Sequence, residues 1–311
     1  MKRDTIGVDI SKATFDVYRL SDGNTGRFEN SERGFRQFIK WLPKGGLERI
    51  VYEATGSYHK AFEKTLAHSH PLVMVNPLQA RRFAEARGTR VKTDAVDARM
   101  LAMMGDAFDL QPQAPKTKEA LVLKELYAAR QALSKERTRL LNRQKTATLP
   151  ILKRQHKAQL KHIQQQIKEI DEEIAKVLQD NDDLADRYRI LCSIPGLGQV
   201  SAAALITHMP ELGSIDRKKV ASLAGVAPFT KQSGQWTGKA NIRGGRKALR
   251  DALYMPALVA ARFNPDMKKQ YRRMIEAGKP AKVAIVAIMR KLIELANTLL
   301  KSRNPWVQKT A

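Results

Sequence analysis

The sequence predicts an α/β domain, a long helical segment and a second, mainly helical domain, in that order. Three observations carry this prediction. Over residues 1–110, short apolar stretches rich in β-branched residues alternate with stretches of helical pattern. Between residues 117 and 183 there is no glycine, and apolar residues recur at heptad spacing. Over residues 186–311, glycine-rich turns separate helical stretches. We therefore expect three domains, at residues 1–110, 111–185 and 186–311.

The first domain is predicted from strand alternation and helix-start signals. Residues 5–20 have β-branched residues at alternating positions, which predicts two strands joined by a tight turn near Ser11 and Lys12. Ser31 predicts the start of a helix that ends before Pro43. Further strands are predicted over residues 49–54 and 71–75, and further helices over residues 58–68, 78–87 and 94–104. This order implies a mixed sheet with helices packed against it.

The middle segment has the pattern of a coiled coil. Pro112 and Pro115 mark a linker before it. A reversal near Pro150 predicts an antiparallel helical pair or a coiled coil with another subunit, and one helix of a compact bundle is the alternative. The clearest apolar seam has the spacing 3-4-3-4-3 and comprises Leu160, Ile163, Ile167, Ile170, Ile174 and Val177.

The last domain opens with LCSIPGLGQVSAAALITHM, which predicts a helix, a Pro-Gly-Leu-Gly turn and an Ala-rich helix. This is the form of a helix-hairpin-helix. Gly196 and Gly198 would let backbone N–H groups contact one phosphate without reading the base. Such a turn also packs two helices tightly, and both roles stay open.

Charge indicates the class of partner. The net charge is +25, and residues 1–110 hold 18 Lys and Arg against 14 Asp and Glu, so most of the surplus lies beyond them. Such a surplus predicts binding to a polyanion. Cys192 is the only cysteine, which excludes a disulfide framework. The longest apolar run, near residues 283–289, is too short for a membrane span, so we expect a cytoplasmic protein that binds nucleic acid and no membrane.

Four acidic residues of the first domain predict a metal site. Asp9 and Glu53 lie in apolar strands, where a carboxylate needs a partner. Asp94 and Asp97 are three residues apart on a predicted helix and project from one face. Oxygen ligands without cysteine or histidine favour Mg²⁺ or Mn²⁺. The alternative for the helical pair is an N-cap and a first-turn acid.

Several sequence blocks carry a family resemblance. The stretches GVDISK, EATGS and KTDAVDAR, at residues 7–12, 53–57 and 92–99, resemble signature blocks of the DEDD transposases. Those enzymes form the insertion-sequence family numbered one hundred and ten, together with the Piv DNA invertases. The similarity continues in IPGLG, LAGVAP and LRDALYMP, in the same order along the chain.

The resemblance implies a fold and a mechanism. It implies a RuvC-like N-terminal domain of the ribonuclease H type, a coiled-coil middle and a C-terminal transposase domain. It further implies that Asp9, Glu53, Asp94 and Asp97 hold Mg²⁺, and that a structured non-coding bridge RNA pairs with donor and target DNA. We therefore expect an RNA-guided DNA recombinase that works as a homo-oligomer, a dimer or a tetramer.

A basic, glycine-rich stretch, residues 229–250, carries the expected nucleophile. By resemblance, Ser233 attacks the DNA phosphate and forms a phosphoserine. Its neighbours predict nucleic-acid contact through positive charge, and through stacking by Trp236. A flexible solvated loop is the alternative. The stretch has six positive charges, of which the first five are expected at this contact: Lys231, Lys239, Arg243, Arg246, Lys247 and Arg250. A second basic cluster, expected to contact the nucleic-acid backbone, comprises Arg262, Lys268, Lys269, Arg272 and Arg273.

Two rival functions remain from the sequence. In the first, a metal-dependent nuclease or junction resolvase uses water as the nucleophile, and Ser233 only binds phosphate. In the second, the chain is a non-enzymatic nucleic-acid scaffold with an inactive metal site.

Overall fold

The computed structural model describes residues 4–54, 56–89, 93–230, 232–234, 236–238 and 240–308. The chain divides into two compact units, residues 1–116 and 117–311. The first unit is a mixed α/β structure and the second is mainly helical.

A five-stranded mixed sheet organises the first unit. Its strands are β1 (Asp4–Ile10), β2 (Thr14–Arg19), β3 (Thr25–Glu29), β4 (Leu47–Glu53) and β5 (Leu72–Val75), in the spatial order β3-β2-β1-β4-β5. The first three form an antiparallel meander, whereas β4 pairs in parallel with both β1 and β5. The predicted α/β domain with a mixed sheet is confirmed, and the topology is consistent with a RuvC-like fold.

The two faces of this sheet are covered differently. One face carries Ile6, Val8 and Ile10 of β1, which pack with phenylalanines of α1 (Glu32–Trp41) and α2 (His59–Leu66). The other face carries Val51, Val73 and Val75, which pack against Leu101 and Met104 of α4 (Asp94–Ala107). Residues alternate between the faces of a strand. Asp9 therefore shares the α4 face with Gly7.

Gly7 sets the distance between the sheet and α4. A Cβ atom at residue 7 would lie 1.9 Å from the carbonyl oxygen of Ala98 and 2.5 Å from the amide nitrogen of Ala102. Both atoms belong to the helix backbone, so a side chain could be accommodated only if the helix moved away. The first turn of this helix contains Asp94 and Asp97, so Gly7 also determines where those acids lie.

The second unit begins with a pair of long helices. They are α5 (Lys118–Thr146) and α6 (Pro150–Gln179), which turn back at Pro150 as expected. An ion pair joins Arg130 of α5 to Asp171 of α6, with Nε 2.5 Å from Oδ1. Of the expected seam, Leu160 and Ile174 are buried and the other positions are half-buried. Leu123, Ile174 and Leu178 share a core with the C-terminal helices. A separate middle domain and a coiled coil remain predictions.

The rest of the second unit is a helical core with two small β ladders. The helices are α7 (Asp182–Cys192), α8 (Gln199–His208), α9 (Arg217–Leu223), α10 (Lys247–Phe263), α11 (Pro265–Glu276) and α12 (Ala281–Ser302). Between α9 and α10, β6 (Pro228–Phe229) pairs with β9 (Asn241–Ile242), and β7 (Gln232–Ser233) pairs with β8 (Trp236–Thr237). The remaining helix of the first unit is α3 (Pro77–Ala86).

Element by element, the sequence predictions agree closely with the first unit. The predicted strands correspond to β1, β2, β4 and β5, and the predicted helices to α1 to α4. The strand β3 is not among the predictions, because the segment TGRFE is mostly exposed and lacks a β-branched run. Within the described residues, the helices are too short or too polar to cross a bilayer.

Candidate DEDD site

Two of the four predicted acids lie at one edge of the sheet. Asp9 is near the end of β1 and Glu53 ends β4. These strands run parallel, and Val8 is in register with Tyr52, so the next residues on each strand are Asp9 and Glu53. The carboxyl ends of adjacent parallel strands thus bring both side chains to the same edge and the same face.

The other two acids arrive on α4. Thr93 caps this helix, and its hydroxyl accepts a hydrogen bond from the Val96 amide. The alternative reading of Asp94 as the N-cap is therefore wrong, because the preceding threonine has that role. Asp94 and Asp97 both lie in the first turn, where the helix dipole favours negative charge. The close packing of α4 on β1 brings this turn toward Asp9.

Electrostatic coupling connects all four acids. The pKa of Asp9 is raised from 3.8 to about 6, first by burial and then by the charges of Asp97, Asp94 and Glu53, in that order of effect. Like charges shift a pKa in this way only when they lie close to one another. The structure therefore gathers the predicted acids around Asp9, in a chain whose net charge is +25.

The structure adds two residues to this site that the sequence reasoning missed. Asp16 of β2 is directly opposite Asp9, and Arg27 of β3 is directly opposite Asp16. The Nε atom of Arg27 lies 3.1 Å from Oδ2 of Asp16, and its Nη2 atom lies 3.2 Å from Oδ2 of Asp94. Asp16 also contributes to the raised pKa of Asp9. One guanidinium thus bridges a strand acid and a helix acid at the edge of the cluster.

The donor set, carboxylates without a thiolate or an imidazole, suits a hard divalent cation. Carboxylate oxygens that raise each other's proton affinity also attract Mg²⁺ or Mn²⁺. Within the described ranges, no group of three or more acidic, histidine or cysteine side chains is already arranged to hold a metal ion. Asp94 is paired with the guanidinium of Arg27.

Ser233 lies at the exposed tip of a β-hairpin in the second unit. Its backbone pairs with Trp236, and the turn between them uses Gly234 with φ +56°. A left-handed backbone of this kind favours glycine. The sequence predicts no strands in this glycine-rich stretch, whereas the structure forms a short hairpin there. Its strands have only two residues each, which is too few to show an alternating pattern. Lys231, Lys239 and the side chain of Trp236 lie outside the described residues.

The other basic side chains expected to contact nucleic acid differ in whether they are already paired within the protein. Arg243 is exposed. Arg246 donates to the carbonyl oxygen of His208 at 2.7 Å and pairs with Glu211 at 2.6 Å. Lys247 pairs with Asp251 at 2.5 Å. Arg246 therefore has a structural role at the start of α10, and Arg243 is the more accessible cation.

The two glycines of the turn before α8 also differ. Gly196 has φ +108°, and a Cβ there would lie 2.7 to 2.9 Å from atoms of Ala260 in α10. Helix packing accounts for this residue. Gly198 is exposed at the N-cap of α8, with open space where a Cβ would be. Phosphate contact by a helix-hairpin-helix remains a prediction, and Gly198 is its better candidate.

Two family models match the chain. A DEDD transposase model of the IS110 type matches residues 6–152. A second model, described as a transposase of the IS116/IS110/IS902 family, matches residues 188–272. The first match contains the β1, β4 and α4 acids, and the second contains Ser233.

Similar proteins extend over nearly the whole chain. The pilin gene-inverting proteins of Moraxella bovis and Moraxella lacunata are each 32% identical over 323 residues, which covers 98% of this chain and 98% of theirs. A transposase for insertion sequence element IS1328 from Yersinia enterocolitica is 24% identical and covers 82% of this chain and 83% of its own. The chain therefore belongs to the IS116/IS110/IS902 family of transposases and is an enzyme that recombines DNA.

Proposed function

We propose that this transposase cuts and rejoins DNA strands through a covalent phosphoserine at Ser233, at sites selected by a structured non-coding RNA that pairs with donor and target DNA. Asp9, Glu53, Asp94 and Asp97 would hold Mg²⁺ or Mn²⁺ beside the reacting phosphate. The observation that supports the cation site is the placement of Asp9 and Glu53 on adjacent parallel strand ends beside the first turn of α4, and the raised pKa of Asp9 agrees with it. The enzyme would act in the cytoplasm, where its nucleic-acid partners are found.

The serine step conserves the number of phosphodiester bonds. The Ser233 oxygen would form a bond to phosphorus while the bond from phosphorus to one strand fragment breaks, and that fragment would leave as a free hydroxyl after gaining a proton. Attack by the hydroxyl of a second strand would then release the serine and rejoin the DNA. A bound divalent cation supplies charge neutralisation at the phosphoryl group. The exposed hairpin tip suits Ser233 for an approach to a duplex backbone.

The two halves of this site belong to different compact units. A composite site, formed within one chain or between the subunits of a dimer or tetramer, would unite them. Inversion, the reaction in the names of the Moraxella relatives, requires the same strand exchange. The rival mechanism is hydrolysis by water, in which strands are cut but not rejoined.

Arg27 would control entry to the cation site. Its ion pair with Asp94 joins side chains that are 61% and 52% exposed, so the pair contributes little free energy and exchanges readily. The guanidinium would leave Asp94 when a divalent cation binds, and it would remain on the sheet through Asp16. It could then donate to a DNA phosphate at the same edge.

Replacing Arg27 should therefore change cation affinity. We expect Arg27→Gln to bind Mn²⁺ about two- to fivefold more tightly than the unaltered protein, because a competing cation at Asp94 is gone. Isothermal titration of the metal-free protein with Mn²⁺ measures this. Arg36→Gln removes the same charge from an exposed position of α1 and should leave the affinity unchanged. Equal or weaker Mn²⁺ binding by Arg27→Gln would contradict the competition.

RNA guidance is tested by the RNA that co-purifies with the protein. We expect one abundant, discrete RNA with segments complementary to both recombining DNA sites. Purified protein stripped of RNA should be inactive, and the transcribed RNA should restore exchange. Asp9→Asn should retain the same RNA, because the acid cluster repels a polyanion and does not bind it. Recovery of only bulk cellular RNA, with full activity after stripping, would remove the guidance from the proposal.

A further inference from the structure

A cavity in the second unit is not used by the proposed chemistry. It lies between α9, α11 and α12 and has a volume of about 610 Å³. Cavities that hold small organic ligands are usually about 300 to 1,000 Å³. Its lining residues are Arg217, Asp266, Met267, Lys269, Gln270, Arg273, Lys291, Glu294, Leu295 and Thr298.

The lining is positively charged and partly pre-organised. It contains four basic side chains and two acidic ones. Glu294 is only 5% exposed and accepts from Arg217 at 2.7 and 2.8 Å and from Arg290 at 2.8 Å. Its charge is thus balanced, and its effect is to hold the Arg217 guanidinium in place. Asp266 lies in the first turn of α11, where an acid is favoured by the helix dipole.

A second observation concerns Gln270. Its side-chain oxygen is buried and, in the part of the chain that the structure describes, has no hydrogen-bond donor. An unsatisfied buried acceptor is costly. Because Gln270 also lines the cavity, a ligand there that turned this amide toward itself would supply the missing N–H or O–H donor and gain affinity. Met267 and Leu295 add apolar surface beside it. The cavity therefore combines positively charged side chains, an amide whose oxygen lacks a donor, and apolar surface.

These three features match the parts of a nucleotide. A phosphate suits the cations, a sugar hydroxyl or base amine suits Gln270, and a base face suits the apolar surface. We propose that this cavity receives one unpaired nucleotide of a bound nucleic-acid strand. The inference rests on the nucleic-acid role in the proposed function but not on its metal or its serine. Lys268 and Arg272 are exposed on the same helix but do not line the cavity.

The test compares two charge-matched variants on two probes. The cavity variant is Lys269→Gln with Arg273→Gln, and the control is Lys268→Gln with Arg272→Gln, which removes the same charge from residues outside the lining. The probes are a paired duplex and the same duplex with one bulged nucleotide. Fluorescence anisotropy measures the affinity of each protein for each probe. We expect the cavity variant to lose about tenfold in affinity for the bulged probe and little for the paired one. Gln270→Leu should weaken only the preference for the bulge.

Two results would overturn the proposal. Equal losses in the cavity variant and its control would mean that the cations act only as a general basic surface. Binding of a free 5′-mononucleotide as tight as that of the bulged probe would make the cavity a site for a free metabolite. Formation of a covalent adduct between Ser233 and labelled DNA, measured on the same proteins, tests the proposed chemistry separately. A circular-dichroism spectrum confirms that each variant is folded.

Discussion

Asp9→Asn is expected to raise the melting temperature of the metal-free protein at neutral pH and to reduce strand exchange sharply. The unfolded chain has a pKa near 3.8 at this residue, whereas burial and neighbouring carboxylates raise the folded value to about 6. Above pH 6 the ionised carboxylate therefore destabilises the fold, and this effect disappears as the pH falls through 6 toward 4. The full shift corresponds to about 3 kcal/mol, and solvent screening of this partly exposed group reduces it to about 1 to 2 kcal/mol.

Thermal unfolding in chelator, at several pH values, measures the first effect. At neutral pH the melting temperature of Asp9→Asn should be a few degrees above that of the unaltered protein. This difference should shrink as the pH falls from 7 to 4. Added Mg²⁺ should stabilise the unaltered protein and have little effect on the variant. Exchange activity should fall on the order of a hundredfold or more, since a ligand of the catalytic cation is lost.

The matched control for this experiment is Asp106→Asn. It removes one carboxylate from the exposed side of α4, the same helix that carries Asp94 and Asp97. Its stability in chelator should show no added pH dependence, and its exchange activity should be retained. A lower melting temperature for metal-free Asp9→Asn, or undiminished exchange, would mean that the acids do not form one electrostatic cluster.

Ser233→Ala should eliminate the covalent protein–DNA adduct and reduce strand exchange by about a thousandfold or more. The reason is that the alanine lacks the oxygen that would bond to phosphorus. A labelled donor DNA, incubated with protein and Mg²⁺ and then denatured, shows the adduct as a shifted protein band. Ser222→Ala, an exposed serine in α9, is the control and should form the adduct normally.

The same gel distinguishes the rival mechanism. If water is the nucleophile, Ser233→Ala will release nicked DNA at an appreciable rate and the unaltered protein will show no adduct. DNA binding by Ser233→Ala, measured separately, should be close to that of the unaltered protein, because one exposed hydroxyl contributes little to a contact dominated by phosphates.

Much of the acid cluster could be predicted because its signals are local. Apolar strands that contain an acid indicate a carboxylate with a partner, which identified Asp9 and Glu53. Helix periodicity placed Asp94 and Asp97 on one face. Asp16 could also have been predicted as part of the cluster. The predicted hairpin of residues 5–20 implies an antiparallel register, and that register places Asp16 opposite Asp9.

Arg27 and the hairpin at Ser233 could not be found in this way. Arg27 lies on the edge strand β3, whose inward positions are Gly26 and Phe28, so a single apolar side chain is too little to predict a strand from sequence. The strands around Ser233 are two residues long, which is too short for an alternating pattern to predict them. Gly7 carries no sequence signal for its role, because the close approach of α4 is a long-range contact.

The hairpin of α5 and α6 has a mechanical consequence. Leu123 and Tyr127, near its open end, are buried, whereas Leu149, Ile151 and Leu152 at its turn are exposed apolar side chains. From Tyr127 to the turn, α5 extends roughly 30 Å at about 1.5 Å per residue, a span of roughly nine base pairs at about 3.4 Å each. A protein surface bound at the tip of this helical hairpin would therefore be held away from the open end by nearly one helical repeat of a DNA duplex. The arm can act as a spacer whose length is fixed by residue count. Inserting or deleting one heptad in each of the two helices would change the reach by about 10 Å while preserving their apolar spacing.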